Sequence, residues 1–369
     1  MALLELYRSF ADLWSHFDSA EAFGFGRGYS LPSLQPFDEE TCHQHAVAFR
    51  SLVGAVEELE LETLDEEIDR TVLLSALRTR VERLDVERPE RWNPALWVNR
   101  LFQAAVARPG DPSTLAALPD WVARASATIQ KPSLFSLQVA LGQLDDVRSR
   151  LREGSWSADP DVQSRALAAV EAFDRFLRHE VEPDPEPTAG SLGADKVEWR
   201  LHHEHLLEVS SSEALRRLSR RVAVLTERAP PPPRSGPEAV EPDQAAFEIR
   251  TRLVAPAWGE AWMLFVAGMS GGNAADAVLA QARKGGLDYA IQMGQVGPVE
   301  GISRLGGESA AFDDLVVFPM AAAATTLLIA EWEAVRSRWA GDDASFVAAV
   351  TGHAVLHPAL AAWRLDLAE

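Results

Sequence analysis

The chain has 369 residues, 47% of them hydrophobic and 24% charged, with a net charge of -20. That length buries a sizeable core, as one large helical domain or two coupled lobes, and the composition excludes disorder as the default state. The charge excludes a nucleic-acid backbone or an anionic membrane as the natural partner, since either would be repelled; it also keeps a protein in solution.

Residues 1 to about 20 read as a helix, with Leu3, Leu6, Tyr7, Phe10, Leu13, Trp14 and Phe17 at helical spacing. Glu5 stands where a signal peptide would carry its basic region, so the cytoplasm is the expected location. The glycine-rich stretch Gly24-Phe-Gly-Arg-Gly28 follows no β-branched strand and reads as a connecting loop rather than a phosphate cradle. The single cysteine, Cys42, excludes an intramolecular disulfide and any cysteine-based metal cluster, and reads as a structural thiol.

Helices are expected over 41–61 and over 64–84, the second carrying Ile68, Val72, Leu73, Leu77 and Leu84 on one stripe. Pro89 to Pro94 interrupts the pattern, and a further helix runs through Trp97 and Leu101. Others follow at about 115–129, 133–152 and 160–181, then an acidic, proline-spaced linker from Glu182. Helices at 194–209 and 212–228 come next, the second with Ser212 as its cap. Four consecutive prolines from Pro230 exclude helix and mark the clearest seam. Beyond it lie a helix through Glu260, a glycine-dense region from Gly268 to Gly307, of which Gly285 to Gly297 reads as loop and short helix, either a mobile lid or a plain long connection, and closing helices at 311–339 and 343–365. The longest apolar run, Val316 to Ala330, is too short for a membrane span. With no recurrent alternating segment, the fold class is all-α. The expected division is an N-terminal helical lobe over 1–181, linker and cleft helices over 182–228, and a C-terminal lobe over 238–369 with the glycine-rich lid, all folding as one unit.

Several segments resemble the bacterial domain-of-unknown-function eight-eighty-five family, a relative of helical zinc carboxypeptidases. They are Glu67-Ile-Asp-Arg-Thr-Val-Leu-Leu74 with Arg91-Trp-Asn-Pro94, and Leu192-Gly193 with Val197-Glu-Trp199. Gly259-Glu-Ala-Trp-Met-Leu-Phe265 is similar to the family's Glu-Gly-Trp-Ala-Leu-Tyr motif, and Phe318-Pro319 with the helix to Arg336 resembles its closing helix. The resemblance implies a zincin-like helical scaffold with a central cleft, and it aligns Glu260 with the family's third metal-ligand glutamate. The family's His-Glu-x-x-Pro-Gly-His-His motif is degenerate here. Its best counterpart, Pro237-Glu238-Ala-Val-Glu-Pro242-Asp243-Gln244, has no histidine to hold zinc. No metal or other cofactor is therefore expected.

Two constellations carry possible chemistry. On a continuous helix, Glu198, His202 and His205 share a face at i, i+4 and i+7, which suits acid–base work near neutral pH, a metal, or a plain solvated face. Glu260, flanked by Trp258, Trp262 and Phe265, would have its carboxyl raised by desolvation in an apolar cleft and so serve as a general acid or base. Trp199 joins these aromatics as an apolar wall, and Tyr289 and Arg304 are candidate substrate contacts. His353 and His357, one turn apart on the last helix, read as structural. The functional expectation is a metal-independent enzyme that performs cyclisation, elimination or hydrolysis by acid–base catalysis on a small, largely apolar molecule, a role suited to specialised biosynthesis. A non-catalytic ligand- or peptide-binding protein, and a metal hydrolase with a rearranged ligand set at His202 and His205, are the alternatives.

Overall fold

In the computed structural model the described residues are 2–19, 22, 34–107, 112–154, 159–186, 189–227, 248–253, 255–269, 273–296 and 319–367. The glycine-rich stretch 24–28, the proline run, the degenerate motif over 237–244, Arg304 and the segment 297–307 lie outside them.

Helix starts follow local side-chain chemistry. Asp38 accepts from the backbone N–H of Thr41 at 3.0 Å and opens α2 (Glu39–Glu57), after α1 (Ala2–Phe17). Thr63 and Glu66 form a reciprocal capping box at the head of α3 (Leu64–Glu82). A π-helical turn over Arg83–Glu87 ends at Arg88, whose φ of 52° reverses the chain into α4 (Pro89–Trp92) and α5 (Pro94–Ala107), both begun by proline. Next come α6 (Pro112–Ala116), α7 (Leu118–Thr128), α8 (Leu134–Arg152) and α9 (Pro160–Arg175), then α10 (Ala194–His203) and α11 (Ser211–Glu227). The C-terminal part holds α12 (Glu248–Arg252), α13 (Pro256–Met269), α14 (Asn273–Gln292), α15 (Ala321–Arg338), α16 (Asp343–Gly352) and α17 (Pro358–Arg364). Among the described residues there is no strand, only one isolated bridge between Ser133 and Asp184. The protein is all-α.

Three expectations about elements are corrected. Part of the supposed glycine-rich lid, residues 273–292, is the 20-residue helix α14. Gly285 sits inside it because α15 passes so close that a Cβ there would lie 2.6 Å from the Ala322 carbonyl oxygen. The closing helix breaks after Gly352, where Ala354 takes a left-handed φ of 53°, and Pro358 starts α17. The cap of α11 is Ser210 rather than Ser212: its hydroxyl accepts from the Glu213 N–H at 3.3 Å.

The apolar stripes meet in one continuous core running from Leu3 on α1 to Ala362 on α17, so the two halves fold as a single domain. In the C-terminal half α15 packs against both α13 and α14, and α11 covers α14. Trp262, Phe265, Trp332 and Phe346 form its aromatic centre, with Trp262 and Trp332 ring centroids 4.7 Å apart.

Candidate functional site

The helix carrying Glu198 and His202 ends at His203, so His205 does not share their face. The chain turns there, with Leu206 at φ 50°, and swings His205 into the core at 2% exposure. The i, i+4, i+7 triad is therefore corrected to a pair. That pair is engaged in local structure: the Glu198 carboxylate accepts from the Ser211 N–H at 2.9 Å, at the head of α11, and the His202 Nε2 lies 3.1 Å from the Val209 carbonyl oxygen. The Ser211 N–H holds the Glu198 carboxyl below its ordinary range. Trp199 is half-buried against the His203 ring, with centroids 4.8 Å apart.

Beneath this helix lies a polar cluster that the sequence did not single out. Arg200, 4% exposed, donates to Glu87 from Nε at 2.9 Å and from Nη2 at 2.6 Å, and Nη1 reaches Glu204 at 3.0 Å and the Pro319 carbonyl at 3.1 Å. Burial by itself would lower the guanidinium's pKa; the two carboxylates reverse that and raise it. For Glu87 burial acts upward, and the Arg200 charge overcomes it and holds the carboxyl low. Asp288, wholly buried, accepts from the N–H groups of Met320 and Ala323, both at 3.2 Å, and so caps α15 from a neighbouring helix. Burial pushes its carboxyl up to about 6. The signal available in the sequence was Arg200 standing on the same apolar stripe as Val197 and Leu201.

His357 is also buried, its Nε2 2.8 Å from the His205 carbonyl and its ring edge-on to Trp258 with centroids 4.8 Å apart. Burial lowers its imidazole to about 4 and lowers His205 as well, so both rings are neutral near pH 7.

The aromatic set on α13 divides. Trp258 and Trp262 are core, each 2% exposed, and are not walls of a cleft. Tyr289 is buried too, its hydroxyl donating to the Ser211 carbonyl, so it holds α11 on α14 rather than facing a substrate. Glu260 is exposed, which corrects the expectation of a desolvated carboxylate; Thr325 Oγ1 donates to it at 3.3 Å. Trp258 lines only a small void of about 10 Å³, whereas Phe265 reaches a larger cavity.

That cavity, of about 400 Å³, opens among α11, α13, α14 and α15. Its walls are Leu225, Leu264, Phe265, Met269, Val278 and Ile329, with Gly268 and Ala275 leaving room where larger side chains would fill it. Its polar members are Thr226, Asp276, and Arg221 paired with Glu333 through two bonds of 2.6 Å. The cavity stripe continues by one turn on two helices. Glu260 precedes Leu264 and Gly268 at four-residue steps on α13, and Thr325 precedes Ile329 and Glu333 on α15, so the Glu260–Thr325 contact lies one turn before this lining without being part of it.

Among the described residues no group of three or more His, Cys, Asp or Glu side chains is placed to hold a metal ion, and no helix is long and apolar enough to cross a membrane. No protein-family model and no curated protein matches this chain. Among solved structures, a candidate lipoprotein of unknown function from Shewanella oneidensis is similar over 100% of both chains, at a TM-score of 0.66 and 11% identity. That likeness is one of fold.

Proposed function

We propose that this protein binds a small, largely apolar molecule in the cavity among α11, α13, α14 and α15. The observation that carries the reading is the cavity itself: about 400 Å³, mostly apolar-walled, with a few polar groups in its lining. Ligand sites have this character, with volumes of roughly 300–1,000 Å³ and polar groups that fix orientation. The segments that resemble a helical zinc-peptidase family support a peptidase-type scaffold put to another use. The lining supports ligand binding over proton transfer by the expected pair, since Glu198 and His202 do not line the cavity and are engaged with Ser211 and Val209.

The test is displacement of a neutral fluorescent probe, N-phenyl-1-naphthylamine, from the full chain. Gly268→Phe, which projects a ring into the cavity from a helix that gains propensity by losing glycine, should abolish probe binding while the melting temperature holds or rises. Undiminished probe affinity in that variant places the ligand elsewhere.

Acid–base turnover without a metal is a second reading, favoured by Glu260 being an exposed carboxylate one helical turn before the cavity residue Leu264. Glu260→Gln should leave probe affinity within about twofold and lower kcat on a turned-over ligand by roughly 10²-fold or more. An unchanged kcat would remove Glu260 from any chemistry.

A further inference from the structure

The rim of the cavity carries an imbalance of charge. Arg221, the basic member of the described lining, is occupied: both terminal nitrogens bond Glu333 at 2.6 Å, leaving its side chain 16% exposed, whereas the Glu333 side chain is 48% exposed. An anionic ligand would have to displace a carboxylate already seated in two-point geometry. Asp276, in the first turn of α14, is exposed at the same cavity, and among the described residues no hydrogen bond or ion pair engages its carboxylate. The described lining thus holds one guanidinium against two carboxylates, a net charge of -1, on a chain whose own net charge is -20. Both the near and the far field draw cations toward the opening and repel anions.

We propose that the ligand is an amphipathic amine, its apolar body in the cavity and its ammonium group at Asp276. The inference rests on the cavity being a ligand site. It adds the chemical class: a protonated primary or secondary amine carried on a hydrocarbon or aromatic body, as against a neutral alcohol or a fatty carboxylate. Apolar walls supply the affinity, and the rim supplies the discrimination. Asp276 acts as the counter-ion, with the exposed Glu333 carboxylate of the same lining adding to the field.

Three probes of equal chain length isolate the head group: decylamine, decanol and decanoate, each competing with N-phenyl-1-naphthylamine at pH 7 and below its micelle concentration. Decylamine should bind about fivefold tighter than decanol, in keeping with the worth of one solvent-accessible ion pair, and decanoate should bind weakest. In Asp276→Asn the amine should fall to within about twofold of the alcohol, with alcohol affinity unchanged; raising the salt concentration should shrink the amine preference of the unaltered protein. The proposal is overturned if decanol matches decylamine, or if the amine preference persists in Asp276→Asn, which would assign it to the overall charge of the chain. Failure of all three probes to compete removes the cavity as a ligand site and this inference with it. Competition by decanol without amine preference removes the inference alone.

Discussion

Two buried titratable residues, Asp288 and His357, give the protein opposing responses to acid. Asp288 faces the first turn of α15, the Gln292 side chain and the Arg200 charge, and its carboxyl is raised from 3.8 to about 6 by burial. The folded state then binds more protons than the unfolded chain between those values. The contribution of Asp288 to stability is fully present below pH 4 and is lost as pH rises through 6, by about 3 kcal/mol at most. His357 runs the other way: burial lowers it from 6.5 to about 4, so its contribution is present above pH 6.5 and is lost as pH falls toward 4. In the intact protein the two largely offset each other between pH 4 and 6. Asp288→Asn should remove one arm, so that urea unfolding at pH steps from 7 to 4 shows stability falling more steeply in the variant than in the parent. Parallel curves would mean that the Asp288 carboxyl titrates in its ordinary range. The titration was not legible in the sequence: Asp288 lies beside the glycines of a segment read as loop and short helix, and His357 reads as structural with nothing to show how deeply it is buried.

At the level of elements, helix positions were largely readable, and the exceptions have physical causes. Asp38, Thr63, Ser133, Asp159 and Asp342 cap the helices that follow them, each with its side chain accepting from the backbone of the first turn. The stripes on α1 and α3 supplied the core residues expected of them, Phe10 and Trp14 on one and Ile68, Leu73 and Leu77 on the other. The failure at α14 came from reading its glycines as loop formers. Gly285 is a packing residue: a Cβ there would collide with Thr326 Oγ1, which donates to the carbonyls of Gln281 at 3.1 Å and Ala322 at 3.0 Å. At its neighbour Gly286 an added methyl group would meet nothing within 4 Å. Gly285→Ala should therefore destabilise by roughly 1–3 kcal/mol through overpacking, and Gly286→Ala should stabilise by about 0.4–1 kcal/mol through the unfolded chain. Equal effects in thermal melts of the two variants would contradict the close α14–α15 approach.

Over the whole molecule, buried ion pairs join parts of the chain that are remote in sequence. Arg250, 2% exposed, bonds Asp69 at 2.8 Å, Asp65 at 3.0 Å and the His353 carbonyl at 3.1 Å, uniting α12 with α3 and with the turn before α17. Arg200 and Glu87 do the same across 113 residues. Loss of one partner leaves an uncompensated buried charge, so each pair holds a specific arrangement of the two halves more than it adds net stability. The cavity belongs to this scale as well, because its lining comes from four helices, and of its residues only Phe265 was singled out from the sequence as a site residue. The amino-acid sequence by itself determined the all-α class and most of the side chains that fill the core, since those depend on periodicity. Tertiary structure alone decided that His205 leaves the helix face, that Glu260 is exposed, that Arg200 is buried among carboxylates, and where the cavity lies. The reason is physical: a helical stripe reports which face avoids water, while the charge, room and partners on the other side of that face come from residues a hundred positions away.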